Sequence, residues 1–463
     1  MAAQQRQLYA FAHLDGGFVP AGRLTLTEEG EEVVASSFAY GLRYLERPGR
    51  FPVDPVSLAL DDVDRVRGTE MMPVGGLPLF GGIRDAAPDA WGRRVIEARR
   101  KVPANSLPES VYLLEAGSDR VGALDVRDSL DAPPTRGVNE VHSLDYMLET
   151  AERIEQGEEI PTRMTDFFGS GPGAGGARPK AAVRDETGLL WLAKFPSRGD
   201  PFDMATAEVA TLKLARECGL DVPDAKAVDV GGTPVLLVRR FDRYWCAPGT
   251  PPADDVVLHD TLPGDGLAER RLPFASALTL LACDEFDARN RSYVEIAQAI
   301  RRHVQVERVR ADNRELFARM AFNIFVSNDD DHLRNHGFTR DPRTQGWGLS
   351  PLYDVVPRPG VAHDRLLHLG VGEQGGRGQG GAEGGREGGA DAAAKSPYPD
   401  EGHDLRQGLE GVHLDAGRRA GSRGRDVHGV LCGPEDISAP TTTTAATAAA
   451  AKATAASAPV RCA

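Results

Sequence analysis

Residues 323–338 read NIFVSNDDDHLRNHGF. An apolar segment empties into three consecutive aspartates, Asp329, Asp330 and Asp331, followed by His332, Asn335 and His336. Adjacent like charges repel one another and cannot join an apolar core, so the stretch reads as a loop with chemistry to perform. Asn335 follows Asp330 at the fifth position. A loop leaving an apolar helix with that spacing can aim a carboxylate at a substrate hydroxyl and offer an amide oxygen to a metal, as phosphoryl transfer requires. A plainer reading competes: Asn328 or Asp329 caps the helix and water solvates the rest. A zinc-hydrolase reading is the weaker rival. His332 and His336 are spaced i, i+4, but the glutamate of an HExxH helix is missing between them.

Three further features precede or follow this loop. The glycine run GSGPGAGGARPKAAV (169–183) can turn backbone N–H groups towards phosphate oxygens. It is not a Walker loop, because Ala181 follows Lys180, and on its own it reads more readily as a flexible loop. Lys194 ends the apolar strand GLLWLAKF (188–195), and Glu208 lies among apolar neighbours on the helix MATAEVATLKLARECGL (204–220). A strand lysine paired to a helix glutamate holds the α/β-phosphates in kinases; alone, the lysine would simply snorkel. Asp354, in LSPLYDVVP (349–357), follows an apolar run as a second metal ligand would, or else marks a strand or turn end.

Around these features the chain alternates in its first 60 residues and turns at Asp15-Gly16-Gly17, which predicts short strands. LPLFGGIRDAAPDAWGRRVIEARRK (77–101) reads as a loop and a basic helix with Asp89 near its start. An acidic helix is expected within residues 133–163, and a strand in GTPVLLVRRFDRYW (232–245). Residues 270–338 read mainly as helix: LPFASALTLLAC, SYVEIAQAIRRHV and RELFARMAFNIFVSN. After about Gly370 the text becomes Gly/Glu/Arg-rich and then Thr/Ala-rich, with too few large apolar residues to offset chain entropy, so a disordered tail is expected.

The 463 residues suffice for two or three domains. A net charge of −14 argues against independent DNA binding, which draws on phosphate contacts, and leaves DNA reachable through a basic partner. The five cysteines form no CxxC pair, so a reducing cytoplasm is the expected location. The N-terminus carries no apolar signal segment, and no run approaches a membrane span.

In order, these features are a glycine loop, a strand lysine with a helix glutamate, Asp-x₄-Asn, and an aspartate after an apolar run, which is a kinase order. The wording of GGARPKA, LAKFPS, AEVATLKLARECGL, LLVRRFDR, FNIFVSNDDDHLRNHGF and LSPLYDVVP, with GGLPLFGGIRDAAPDAWGRRVIE and RVGALDVR upstream, resembles the HipA family of serine/threonine protein kinase toxins over residues 7–375. The resemblance implies an α+β fold with an N-terminal α/β lobe (1–130), a mainly helical C-terminal kinase lobe (165–375) and a tail (376–463). It implies ATP and Mg²⁺ as cofactors, a protein substrate such as a translation component, and a helix-turn-helix antitoxin of HipB type that reaches DNA on the toxin's behalf. By the same resemblance Lys194, paired with Glu208, is the phosphate lysine, Asp330 the base, and His332 the histidine that orders its loop. Asn335 and Asp354 become the Mg²⁺ ligands, Gly175, Gly176, Ala177, Arg178 and Lys180 the phosphate loop, and Phe241 the adenine linker. Three departures stand out. Gly173 occupies the family's regulatory serine position, with Ser170 three residues earlier. Arg239-Arg240 precedes Phe241 where an acid is usual. Residues from about 376 read like frame-shifted text, which makes a catalytically impaired binding module the alternative to an active kinase.

Overall fold

The computed structural model describes residues 3–135, 139–140, 144–158, 160, 176–248, 256–358 and 367–372. Ser170, Gly173, Gly175 and the low-complexity tail lie outside these residues.

The alternating N-terminus forms a meander of β1 (Gln4–Leu14), β2 (Gly17–Glu29) and β3 (Glu32–Tyr40). Asp15 and Gly16 close the first hairpin with φ of 51° and 82°, the two-residue turn whose twist suits antiparallel strands. Helices α1 (Gly81–Ala86), α2 (Ala90–Arg100) and α3 (Glu109–Glu115) follow, and β4 (Leu124–Arg127) completes the sheet in the order β3-β2-β1-β4. Leu24, Phe38, Phe80, Ile83 and Leu113 share the core of this region. The paired glycines of α1 have a steric cause. A Cβ on Gly82 would fall 2.0 Å from the Val53 carbonyl oxygen, and one on Gly81 would crowd the Thr279 side chain. Asp89 caps α2 as expected, its Oδ1 accepting from Gly92 N at 2.8 Å, and Arg99 and Arg100 meet the negative end of the helix dipole.

Helix α4 (Leu144–Gln156) is the expected acidic helix. A second sheet joins β5 (Asn139–Glu140), β6 (Lys180–Arg184), β7 (Leu190–Lys194), β8 (Ala225–Val230) and β9 (Thr233–Arg239) in the order β5-β6-β7-β9-β8. Between β7 and β8 runs α5 (Met204–Glu217), capped by Asp203, which lays Val209, Leu212 and Ala215 against Leu236 and Val238. This packing turns Glu208 towards the end of β7.

Beyond β9 come β10 (Arg243–Cys246), β11 (Ala268–Arg271), β12 (Phe274–Ser276), α6 (Ala277–Leu280), α7 (Tyr293–His303), α8 (Val306–Val326), β13 (Gly337–Arg340) and β14 (Trp347–Leu349). Here one expectation fails. Of LPFASALTLLAC only Ala277–Leu280 is helical, because Phe274–Ser276 pairs with Gly337–Thr339 as part of a three-stranded sheet. A short apolar run cannot distinguish strand from helix until its partner is known. Helix α8 ends with Ser327 in the left-handed conformation, φ 57°, and residues 328–336 bridge from there to β13. No helix among the described residues is long and apolar enough to cross a membrane.

Candidate active site

Lys194 stands at the end of β7. Its Nζ lies 2.6 Å from Glu208 Oε1 on α5 and 2.7 Å from Asp354 Oδ1. Burial alone would depress the ammonium, but Asp354 and Glu208 outweigh it and hold the lysine above its ordinary value. The two carboxylates respond differently. Burial pushes Asp354 up, yet Lys194 and then Lys180 prevail and draw it down. For Glu208 burial wins, aided by the nearby Asp354 charge, and its carboxyl is raised despite Lys194. Asp354 adopts φ 57°, a strained choice for a non-glycine residue, which directs its carboxylate at the lysine.

The three aspartates separate. Asp329 Oδ1 meets Arg358 Nε at 2.6 Å. Asp331 is buried and accepts from the Tyr293 hydroxyl at 2.7 Å and from His368 N at 2.5 Å. Asp330 alone presents its carboxylate outwards, with a side chain 69 % exposed. The protein around it still raises its carboxyl through desolvation, with His332 opposing and Asp354 adding to the rise. A carboxylate tuned upwards is a better proton acceptor near neutral pH. Asn328 accepts the Asp330 N–H at 3.3 Å, and Asn335 Nδ2 donates to the Asp330 carbonyl at 2.7 Å. Asp331 is therefore an internal anchor of the loop.

Asn335 Oδ1 is buried and has no hydrogen-bond partner among the described residues. An unpartnered amide oxygen is a donor of the kind that a hard divalent cation takes. His332 Nε2 lies 3.8 Å from Asp330 Oδ1. His336 points elsewhere: it is buried edge-on to Tyr293, and burial, then Arg319, push it down to about 3. A 3-10 turn over Leu333–Asn335 separates the two histidines, so they share no α-helical face.

Gly176 adopts φ 110°, and its carbonyl accepts from Trp91 N at 3.4 Å. Arg178 forks onto Asp200 at 2.7 Å and 3.0 Å, and Lys180 Nζ meets Asp89 Oδ2 at 2.9 Å. Neither basic side chain lines the cleft that holds Leu192, Lys194, Glu208, Val238, Phe241 and Asp354. Phe241 does line it, its ring 5.3 Å from that of Tyr353.

Residues 173–395 match the family of the HipA-like C-terminal domain. The chain carries a HipA-like C-terminal domain. A candidate kinase of Sinorhizobium fredii, Y4dM, is 26 % identical over 357 residues, covering 73 % of this chain and 74 % of that protein. A candidate kinase of Haemophilus influenzae is 29 % identical over 180 residues, 36 % of this chain and 46 % of its own length. Among solved structures, a chain of the Shewanella oneidensis HipA, HipB and operator DNA complex superposes with a TM-score of 0.52 at 16 % identity, covering 78 % of this chain and 79 % of that one. That likeness is one of fold.

The HipA-like cleft also contains residues that sequence reasoning passed over. Asp85, Arg334 and Tyr353 line it alongside Phe241. The double arginine before Phe241 has a structural use as well. Asp242 accepts from Arg240 at 2.6 Å and 2.7 Å, from Arg243 at 2.7 Å and from Gly122 N at 2.7 Å. Arg243 in turn reaches Asp119 at 2.6 Å, and Arg240 reaches the Arg120 carbonyl at 3.0 Å. Burial raises Asp242, but the two guanidiniums overcome it and hold the carboxyl far below its usual range. These charges moor the linker to residues 119–122. Alternating signs in RRFDR were the available signal.

Proposed function

We propose that this chain is an ATP-dependent protein serine/threonine kinase of HipA type, the toxin of a toxin–antitoxin pair, transferring the γ-phosphate to a protein hydroxyl. The observation that supports this most is the Lys194 ammonium set between Glu208 and Asp354, with Asp330 and the open Asn335 oxygen on the neighbouring loop.

In this reading Lys194 binds phosphate oxygens, oriented by Glu208. Leu192, Val238 and Phe241 offer apolar walls to the adenine. Asp330 accepts the proton of the substrate hydroxyl as its oxygen bonds the γ-phosphorus and the bond to the β,γ-bridging oxygen breaks to release ADP, and His332 steadies that carboxylate. Asn335 and Asp354 would hold Mg²⁺, which supplies charge neutralisation along the phosphates. Little else is required, since phosphoryl transfer depends on placement and electrostatics. The protein substrate is a translation component, and the partner a helix-turn-helix antitoxin through which this acidic chain reaches DNA, in keeping with the HipB of the Shewanella complex. The cytoplasm is the location.

A second reading has its own support. Arg178 and Lys180 are engaged by Asp200 and Asp89, as a chain retaining nucleotide binding without transfer would allow. Incubation of the full chain with radiolabelled Mg-ATP and an acceptor protein separates the two. The kinase reading expects label on serine or threonine, reduced at least about a thousandfold in Asp330→Asn. Bound nucleotide with no transfer by the wild-type chain would favour the binding module.

A further inference from the structure

Between His332 and Asn335 lies Arg334, a residue of the loop to which the proposed reaction gives no part. Its guanidinium stands between two acids from distant segments. Nη1 is 3.5 Å from Asp85 Oδ1 on α1, and Nη2 donates to Glu285 Oε1, in the loop after α6, at 2.5 Å. Glu285 is also held by Arg84 Nη2 at 2.8 Å, so the residues alternate in sign: Arg84, Glu285, Arg334, Asp85. Asp85 is itself fixed. It accepts from Ser276 N, Ser276 Oγ and Thr279 Oγ1, each at 2.7 Å, and is buried. The close approach that makes this possible is the one that requires glycine at position 81.

The other end of Arg334 is held as well. Its carbonyl accepts the Tyr353 hydroxyl at 2.6 Å, and Tyr353 immediately precedes Asp354. One residue thus ties together α1 of the N-terminal region, the Asp330–Asn335 loop and the segment that carries Asp354.

We infer that Arg334 is a positioning residue through which α1, by way of Asp85, sets the geometry of the Asp330–Asn335 loop against Asp354. The inference rests on the kinase reading for its catalytic consequence and on geometry alone for its conformational one. A guanidinium fork between two carboxylates fixes direction as well as distance, which an ammonium cannot reproduce. Substitution should therefore lower turnover, and at Glu285, which does not line the cleft, it should leave nucleotide affinity in place, because Lys194, Glu208 and Phe241 are untouched.

Two measurements on the full chain test this. The first is backbone amide exchange over residues 328–336 in Arg334→Lys, Asp85→Asn and Glu285→Gln. Glu285 has a side chain 59 % exposed, so its replacement leaves the buried anchors in place. Exchange of the loop should rise about tenfold or more, while that of α8 stays unchanged. The second is kinetics: kcat should fall about tenfold to a hundredfold, KM for ATP should stay within about twofold in Glu285→Gln, and Glu285→Gln should add little to Arg334→Lys. Unaltered loop exchange in all three variants overturns the inference, as does a full kcat in Arg334→Lys. Faster exchange in the variants of a wild-type chain that transfers no phosphate would refute the kinase reading and leave the clamp standing.

Discussion

Asp330 and Asp331 are adjacent and identical, yet their replacement should damage different properties. Asp331 is buried and accepts from the Tyr293 hydroxyl and the His368 amide. Changing it to alanine strands the buried Tyr293 hydroxyl at about 1–3 kcal/mol and the half-buried His368 amide at less, or about 2–4 kcal/mol together. The Tyr293 hydroxyl keeps only its contact with Asn323 Nδ2 at 3.1 Å, where it is the acceptor. Burial already holds the Asp331 carboxyl above its ordinary value, its hydrogen bonds notwithstanding, so loss of charge by itself should cost little. Asp331→Asn, which retains one acceptor oxygen, should accordingly fall at roughly half the alanine cost. Asp330, exposed to solvent and spared such duties, should tolerate alanine within about 0.5 kcal/mol. Phosphate transfer should follow the opposite ranking among folded proteins, with Asp330→Ala inactive and Asp331→Asn partly active. Urea unfolding of the four proteins, paired with the transfer assay, measures both quantities. An Asp331→Ala protein as stable as wild type would refute the assignment of an internal anchor. So would an Asp330→Ala protein destabilised by as much as Asp331→Ala.

Other outcomes follow from the same geometry. Lys194→Met should abolish transfer and leave Glu208 and Asp354 facing one another without a cation, so that the Asp354 carboxyl rises; a pH titration followed by carboxylate NMR would register the change. Glu285 is drawn down to about 2 because Arg334 and Arg84 outweigh its burial. Its bonds should contribute fully above the ordinary value of 4.5 and fade as pH falls towards 2, so Glu285→Gln should flatten the acid limb of the stability profile. His336 has linkage of the same sign at higher pH. Its imidazole is held neutral down to about 3, and the unfolded chain takes up its proton below 6.5, so stability should decline as pH falls through that window. His336→Gln should reduce the slope between pH 5 and 6 by about one proton, as pH-dependent unfolding would measure. Gly82→Ala would gain about 1 kcal/mol of helix propensity, yet the Val53 oxygen at 2.0 Å should impose a larger cost and lower the unfolding midpoint.

What could be read from the sequence was whatever local elements dictate. Lys194 ends an apolar strand, Glu208 stands among apolar helix positions, and Asp354 follows an apolar run; the structure brings those three within hydrogen-bond reach. Asp89 announced a helix start and became one. The division of labour among the aspartates was not legible, because the partners that separate them are remote: Tyr293 is 38 residues from Asp331, and His368 is 37. The same applies to β12, whose apolar letters suit a helix until β13 supplies a ladder. Charge was a poor guide to exposure here. Arg243 and Arg319 are 0 % exposed, and only the acids and carbonyls brought to them by the fold make that tolerable. Arg178 and Lys180 likewise meet carboxylates, Asp200 and Asp89, that the glycine run did not announce.

The ion network around Asp242 bears on how the molecule can be divided. Gly122 N, 120 residues upstream, donates to Asp242, and Arg243 reaches Asp119. A fragment starting at residue 165 would retain Lys194, Glu208, Asp330, Asn335 and Asp354. It would also confront water, or nothing, with an arginine cluster designed for neighbours it no longer has. Such a fragment should be recovered soluble only when residues 1–135 are co-expressed as a separate polypeptide. In that sense the first third of the chain behaves as an intramolecular chaperone for the rest, and its loss would be felt during biogenesis before it was felt in any assay of turnover.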